Sequence, residues 1–357
     1  MTEFLYTLFS FLPFVVCLVW LAIYVVDYRD ATRPRRLLTY FVLVCTLLYF
    51  CHAWYFLTKE ESYGAVDALY MFCNLAVYPL FYCYILMLTK GYKFSFWSLM
   101  VLLPSIVFTV IALLTGGHPA VLLAAKAVFA LEVILVAIFG LISLEKFNQE
   151  VRNYYSNPEK RMLRSTSVLL VNVVFFVVLS SIANVIGRDA FWGSLLIGIP
   201  SLVFSGLLFA VFHVSSRIRF SASDFQKEIM DDESSSSDIP LVGREDVQLE
   251  GKIASVMEER KLYLLPGLKI SDVALAVGSN RTYVSNALNS VAKMSFTDYV
   301  NSRRIEYAKS RMTEPEGNKV LANIAAESGF SSFPSFYRAF VKFTGYSPSE
   351  WLKKRNV

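Results

Sequence analysis

Seven long apolar runs fill the first part of the chain, and a shorter apolar repeat follows in the last part. Each run has about the 20 residues that a helix needs to cross roughly 30 Å of hydrocarbon. We predict membrane-spanning helices at Phe4 to Val26, Leu37 to Leu57, Ala65 to Leu88, Phe96 to Leu114, Ala120 to Ser143, Thr166 to Ile186 and Trp192 to Val214. The pattern predicts an all-α protein in which residues 1–214 form a seven-helix transmembrane bundle.

Beyond residue 245, apolar positions recur at the spacing of short amphipathic helices. Ile270, Val273, Ala274 and Val277 lie at i, i+3, i+4 and i+7, and Gly278 follows as a helix end. Apolar residues then recur at i, i+4 and i+7, with small polar side chains on the opposite face. Two short helices joined by a tight turn predict a helix-turn-helix unit over about 271–291.

The same plan returns about 51 residues later and predicts a second unit over about 321–343. Gly329 takes the place of Gly278 in the turn. Between the two copies, Phe296 to about Met312 is predicted to form one long connecting helix. An internal repeat with matched turn glycines indicates the motif more strongly than either copy alone.

Composition and charge orient the apolar part. Of the 357 residues, 55% are hydrophobic and only 18% are charged, unlike an ordinary soluble protein. Basic residues near span ends stay on the cytoplasmic side. One set of loops contains only Lys59 and Arg188. The other contains Arg29, Arg33, Arg35, Arg36, Lys90, Lys93, Lys146, Arg152, Lys160, Arg161, Arg164, Arg217, Arg219 and Lys227. We therefore expect a multi-pass protein of the cell membrane, with its N-terminus outside and its last part in the cytoplasm.

An acidic, serine-rich stretch separates the two parts. Residues 215–244 include the run from Asp232 to Asp238, followed by Pro240 and Gly243, which is linker composition. A flexible tether of this length has a root-mean-square span of roughly 30 Å. The sequence thus divides into a membrane region, a linker and a domain over 245–357 that reaches DNA only close to the membrane.

The last part also resembles a known family. Gly329 to Trp351 reads GFSSFPSFYRAFVKFTGYSPSEW, which resembles the signature region of AraC/XylS transcription regulators, and Phe296 to Ile305 resembles their connecting helix. The resemblance covers about Val247 to Lys354. It implies a domain of seven helices with two helix-turn-helix units, and double-stranded DNA as the partner.

The resemblance assigns base-facing positions in both units. They are Arg281, Thr282, Ser285 and Asn286 in the first unit, and Ser331, Phe333, Pro334, Ser335 and Arg338 in the second, with Lys342 nearby. Arg338 suits guanine or phosphate, and Asn286 suits adenine or the backbone. Pro334 departs from the polar residue often found there, so the second unit is expected to rely more on Arg338, Lys342 and phosphate contacts.

Two further patterns bear on this domain. Phe336, Phe340 and Phe343 share one helical stripe, which favours core packing over base stacking. From Arg244 to Val357 there are 17 Lys and Arg and 12 Asp and Glu, an excess of five positive charges. This balance agrees with a polyanionic partner, although a solvated helical surface would account for it equally well.

Ionisable residues inside the predicted spans are candidates for sensing, because burying charge in hydrocarbon is costly. They are Glu132, Lys126, Asp67 and His52. Lys126 has the alternative of extending to the interface, and Asp67 that of an interfacial position. The five cysteines all fall inside predicted spans and indicate neither a disulfide framework nor a zinc site, and no cofactor or metal motif stands out.

The leading hypothesis is a membrane-anchored, sequence-specific DNA-binding transcription regulator that catalyses no reaction. Its membrane region senses a signal or serves as a tether, and further expected partners are membrane lipids, a second copy of the chain, RNA polymerase and a sensed ligand. The main alternative is a membrane receptor or transporter whose cytoplasmic helical domain binds a protein. An intramembrane enzyme using Glu132 or His52 is weaker, because no second catalytic group can be placed beside either.

Overall fold

The chain forms two compact units built from helices. The computed structural model describes residues 2–31, 33–58, 64–90, 100–159, 161–186, 202–203, 205–206, 225, 246–314 and 320–355. The first unit comprises Met1–Lys146 and Leu163–Ser223, and the second comprises Phe147–Met162 and Asp224–Val357. Every regular element in the described ranges is a helix, which confirms the all-α part of the predicted fold class.

Apolar helices make up the first compact unit. They are α1 (Thr2–Val26), α2 (Arg33–Thr58), α3 (Ala65–Lys90), α4 (Leu103–Leu114), α5 (Pro119–Tyr154) and α6 (Arg164–Ile186). The last part of α5, from Phe147, belongs to the second compact unit. Helix α2 packs against α1 and α3, and α3 also packs against α4. Phe41, Phe81 and Tyr84 are almost fully buried in the core between these helices, where burial of aromatic surface stabilises the unit.

The predicted count of seven spans is not supported. Among the described residues, three helical segments are long and apolar enough to cross a membrane, namely Arg33–Trp54, Ala65–Lys90 and Pro119–Tyr154. Phe11–Val26, Met100–Leu114 and Thr166–Phe175 are shorter apolar helices. Helix α4 has 12 residues and a length of about 18 Å, too short for the hydrocarbon layer. The predicted span from Trp192 to Val214 lies almost wholly outside the described residues.

The second unit contains seven α-helices within the described part of 246–355, as the family resemblance implied. They are α7 (Asp246–Glu259), α8 (Ile270–Val277), α9 (Arg281–Ser290), α10 (Phe296–Thr313), α11 (Leu321–Glu327), α12 (Phe333–Thr344) and α13 (Pro348–Arg355). A 3-10 turn at Leu262–Leu264 follows α7. Helix α10 confirms the predicted connecting helix, and Ser295 caps its N-terminus through a hydroxyl that accepts from the Asp298 N–H.

The stripe of phenylalanines on α12 packs into a core with α10 and α11. Phe336 and Phe340 are fully buried there beside Ile305 and Ile324, and Phe343 packs against the same core while partly exposed. This confirms that these rings stabilise the domain rather than stack on bases. Their burial leaves the opposite face of α12 for contact with a partner.

The second unit also includes a segment from much earlier in the chain, the end of α5 and the loop after it. Tyr155 forms an isolated antiparallel bridge with Lys269, and the Ser156 N–H donates to the Leu268 carbonyl at 2.9 Å. We call residues 155–159 the docking loop. It lies within the same compact unit as helices α7 to α13.

Candidate nucleic-acid interface

The first helix-turn-helix unit consists of α8, a turn and α9. Gly278 ends α8 at φ +66°, a left-handed conformation that glycine adopts without strain. The Asn280 side chain then caps α9 by accepting from the Tyr283 N–H at 2.9 Å. Val284 and Leu288 are buried, so the apolar face of α9 is fixed against the domain.

This packing exposes the polar face of α9. Thr282 and Asn286 are exposed, while Arg281 and Ser285 are half-buried. The Asn289 amide donates to the Ser285 hydroxyl at 3.3 Å, so Ser285 is already engaged by a side chain one turn away. The first helix-turn-helix unit thus presents uncharged hydrogen-bonding groups along α9, with the charged Arg281 at the N-terminal end of the helix.

The second unit consists of α11, a turn and α12, and its turn is more tightly packed. Gly329 has φ +82°, and a Cβ there would lie 2.8 Å from the carbonyl oxygens of both Tyr263 and Leu264. Ser332 caps α12 through its hydroxyl, which accepts from the Ser335 N–H at 3.4 Å. Pro334 lies in the first turn of α12, where its missing N–H is tolerated.

The residues assigned to DNA contact in the second helix-turn-helix unit form what we call the second reading surface, and most of them are exposed. They are Ser331, Phe333, Pro334, Arg338 and Lys342. Ser335 differs, because it is only 5% exposed and its hydroxyl lies 2.9 Å from the Ser332 hydroxyl. It also accepts from Nη2 of Arg338 at 3.5 Å, so its place in the structure is to support α12 and orient Arg338.

Both cations of this surface lie beside carboxylates. Lys342 Nζ is 2.6 Å from Oδ1 of Asp298 on α10, and Arg338 Nη2 is 3.9 Å from Oε1 of Glu159 in the docking loop. More than half of each basic side chain remains exposed. Pairs of this kind are weak and open to exchange with another anion, such as a phosphate.

A buried arginine joins the parts of the domain. Arg304 of α10 is fully buried, and its Nε donates to the Tyr263 carbonyl at 2.6 Å. Its Nη atoms donate to the carbonyl of Leu265 at 3.0 Å and to the side chains of Asn157, Asn301 and Ser156 at 2.9, 3.4 and 3.4 Å. Burial lowers its pKa to about 10, so the guanidinium stays charged at neutral pH.

Several groups at this interface were not predicted from the sequence. Tyr283 on α9 and Tyr337 on α12 are 37% and 44% exposed, next to the assigned positions. The sequence contained a signal for both tyrosines, since an aromatic hydroxyl at a surface position suits contact with a phosphate or a base. Glu159 and the rest of the docking loop carried no such signal, because they are far from α12 in sequence.

The predicted intramembrane residues lie in separate settings. The His52 ring stacks with Tyr70 at 6.4 Å, and the Asp67 carboxylate accepts from the Gly64 N–H at the start of α3. Lys126 is exposed. Glu132 is partly buried, and its Oε2 has no hydrogen-bond partner among the described residues. Glu132 therefore retains an acceptor that the described helices do not satisfy.

Part of the second compact unit is similar to known proteins. Residues 273–354 match the helix-turn-helix domain family. An uncharacterized HTH-type transcriptional regulator of Staphylococcus aureus is 28% identical over 106 residues, which are 30% of this chain and 14% of that protein. The melibiose operon regulatory protein of Escherichia coli is 30% identical over 86 residues, which are 24% of this chain and 28% of that protein. The C-terminal part of the chain is thus a helix-turn-helix domain of the AraC type.

The matches cover only part of each protein. The chain spans 14% and 28% of the lengths of these two relatives. A solved structure of a protein of unknown function from Listeria innocua has 28% sequence identity, with a TM-score of 0.25, and the match covers 28% of this chain and 94% of that one.

Proposed function

We propose that this protein is a membrane-associated, sequence-specific DNA-binding transcription regulator that catalyses no reaction. The observation that carries the proposal is the pair of helix-turn-helix units in one compact domain, in which the second helix of each unit exposes hydrogen-bonding or basic side chains. Such a helix fits the roughly 12 Å wide major groove of DNA. The relatives support the proposal, since both are named as regulators.

The base-reading roles follow from the exposed faces of α9 and α12. Thr282 and Asn286 contact base edges or the backbone, and Arg281 contacts phosphate at the end of α9. In the second unit, Arg338 pairs with guanine or phosphate, and Lys342 with phosphate. Ser331, Phe333 and Pro334 line the approach to the groove, and Ser335 and Ser285 act by holding neighbouring side chains in place.

The apolar helices support a location in the cell membrane. The three candidate spans support a multi-pass protein. The external N-terminus and the cytoplasmic DNA-binding domain rest on the seven spans predicted from the sequence, which collect the basic residues in one set of loops. Reporter fusions after Val357 test this topology. A fusion active only on the outer side of the membrane would contradict the proposal, because the domain would be separated from the chromosome.

A second copy of the chain would strengthen DNA binding through avidity, since two tethered domains engage adjacent sites together. In this proposal the membrane helices bias that arrangement in response to a ligand, with Glu132 as the first candidate for the sensing group and Lys126, Asp67 and His52 after it. Glu132→Gln should change promoter output in cells without changing the DNA affinity of the solubilised chain. An altered DNA affinity would place its effect elsewhere.

DNA binding is tested with the full chain in lipid nanodiscs. A duplex that the protein selects from a random-sequence pool should bind more tightly than a scrambled duplex by at least about a thousandfold, with affinity falling as salt rises. Equal affinity for both duplexes would contradict the proposal. It would favour the alternative in which the helical domain binds a protein partner.

A further inference from the structure

The docking loop places a carboxylate beside the main cation of the second reading surface. Glu159 Oε1 lies 3.9 Å from Nη2 of Arg338, and both residues belong to the second unit. On the proposed function, Arg338 is also a DNA contact. The same guanidinium therefore has two anionic partners, one within the chain and one on DNA, and it cannot satisfy both fully at once.

The docking loop is held against the domain by several bonds that do not involve Glu159. The Thr297 hydroxyl lies 2.7 Å from the carbonyl oxygens of both Arg152 and Tyr155. Arg304 donates to the side chains of Ser156 and Asn157. These contacts fix the backbone just before Glu159, so little conformational entropy is lost when its carboxylate approaches Arg338.

In the first helix-turn-helix unit, the reading groups Thr282 and Asn286 carry no charge for an acid to neutralise. The two basic groups of α12, by contrast, each lie beside a carboxylate of the same compact unit that is not part of the second helix-turn-helix unit. Of these two carboxylates, Asp298 belongs to α10, while Glu159 belongs to the loop between α5 and α6. Glu159 thus connects the second reading surface to a segment that follows the candidate membrane helix α5 and precedes the apolar helix α6.

We propose that the docking loop is an intramolecular competitor of DNA. Glu159 pairs with Arg338 and weakens DNA binding by the second helix-turn-helix unit until the loop is displaced. This proposal rests on the proposed function. Helices α5 and α6 flank the loop, so a rearrangement of either helix changes the position of Glu159. Such a rearrangement raises DNA affinity by freeing Arg338, and it leaves the reading face of α9 unchanged.

Glu159→Gln tests the competition in the full chain, with the selected duplex as the probe. The substitution removes the charge and should tighten DNA binding about two- to fivefold at low salt, the range expected for an exposed ion pair. Glu150→Gln is the matched control, because Glu150 is exposed on α5 and the substitution removes the same charge. The gain should shrink as salt screens the pair. An equal gain in both variants would overturn the proposal.

Two further variants locate the effect at Arg338. In an Arg338→Ala background, Glu159→Gln should no longer change DNA affinity, because its partner is gone. Glu159→Asp keeps a negative charge near Arg304 but withdraws it from Arg338, so it should also tighten binding even if the glutamine variant folds poorly. A gain that persists without Arg338, or no gain in either Glu159 variant, would overturn the competition. Loss of sequence preference in the unmodified chain would instead overturn the proposed function.

Discussion

The two helix-turn-helix units share a plan but differ in the chemistry of their second helices. Helix α9 presents Thr282 and Asn286, uncharged groups that suit hydrogen bonding to base edges. Helix α12 presents Arg338 and Lys342, which lie beside carboxylates from other parts of the domain. The repeat therefore preserves the packing and turns while the reading surfaces diverge. We infer that the first helix-turn-helix unit contributes more to the preference for a DNA sequence. The second contributes more to the part of the DNA affinity that changes when its carboxylate partners are displaced.

The largest expected effect comes from replacing a residue that supports both helix-turn-helix units. Arg304→Ala leaves the carbonyls of Tyr263 and Leu265, and the docking loop, without their hydrogen-bond donor. The unfolding free energy of the second compact unit should therefore fall by about 3–5 kcal/mol. Arg303→Ala is the control, because that side chain pairs with Glu258 at the surface and is expected to cost at most about 1 kcal/mol. Hydrogen exchange of α10 amides in the full chain measures both. Similar protection in the two variants would contradict the role of Arg304.

The matched turn glycines separate the two units. Gly278→Ala should cost about 1–2 kcal/mol, from the positive φ alone, since a Cβ there meets nothing within 4 Å. Gly329→Ala should cost about 2–5 kcal/mol, because the same strain is joined by contact with two backbone carbonyls. Chemical denaturation of the domain signal gives the two values. Equal losses would show that the close packing around Gly329 relaxes at little cost.

The smallest expected effects distinguish the two reading surfaces. Asn286→Ala and Arg338→Ala should each weaken binding to the selected duplex by about 1–3 kcal/mol if each reads a base. If Arg338 contacts only phosphate, its loss weakens all duplexes alike and lowers the slope of log affinity against log salt by about one. Titrations with selected and scrambled duplexes at several salt concentrations separate these cases. An unchanged affinity in both variants would contradict the assigned surfaces.

The sequence predicted the elements of the DNA-binding domain well, because they depend on local patterns. The apolar spacing around Val273 and Val284, the turn glycines and the long helix from Phe296 all have local causes. The burial of Ser335 was missed, since the assigned position came from resemblance and not from the packing of α12. The buried state of Arg304 had a signal that was overlooked: it lies four residues from both Val300 and Ala308, on the apolar stripe of α10.

Contacts between distant parts of the chain could not be predicted in this way. The docking loop is separated from Arg304 by more than a hundred residues, and its Ser156 and Asn157 have no periodic pattern that indicates a binding partner. The count of seven spans was wrong for a different reason. Hydropathy gives the length of an apolar run but not the ends of the helix within it. In the run from Phe96 to Leu114, the α-helix begins only at Leu103, after a short 3-10 turn.

The hydrogen bonds from Arg304 to Ser156 and Asn157 bear on how this protein can be rebuilt by engineering. A chimaera that transplants only residues 246–355 onto another carrier would deprive the guanidinium of two acceptors. A successful graft has to bring residues 155–159 along as a separate piece, because the DNA-reading module is discontinuous in sequence.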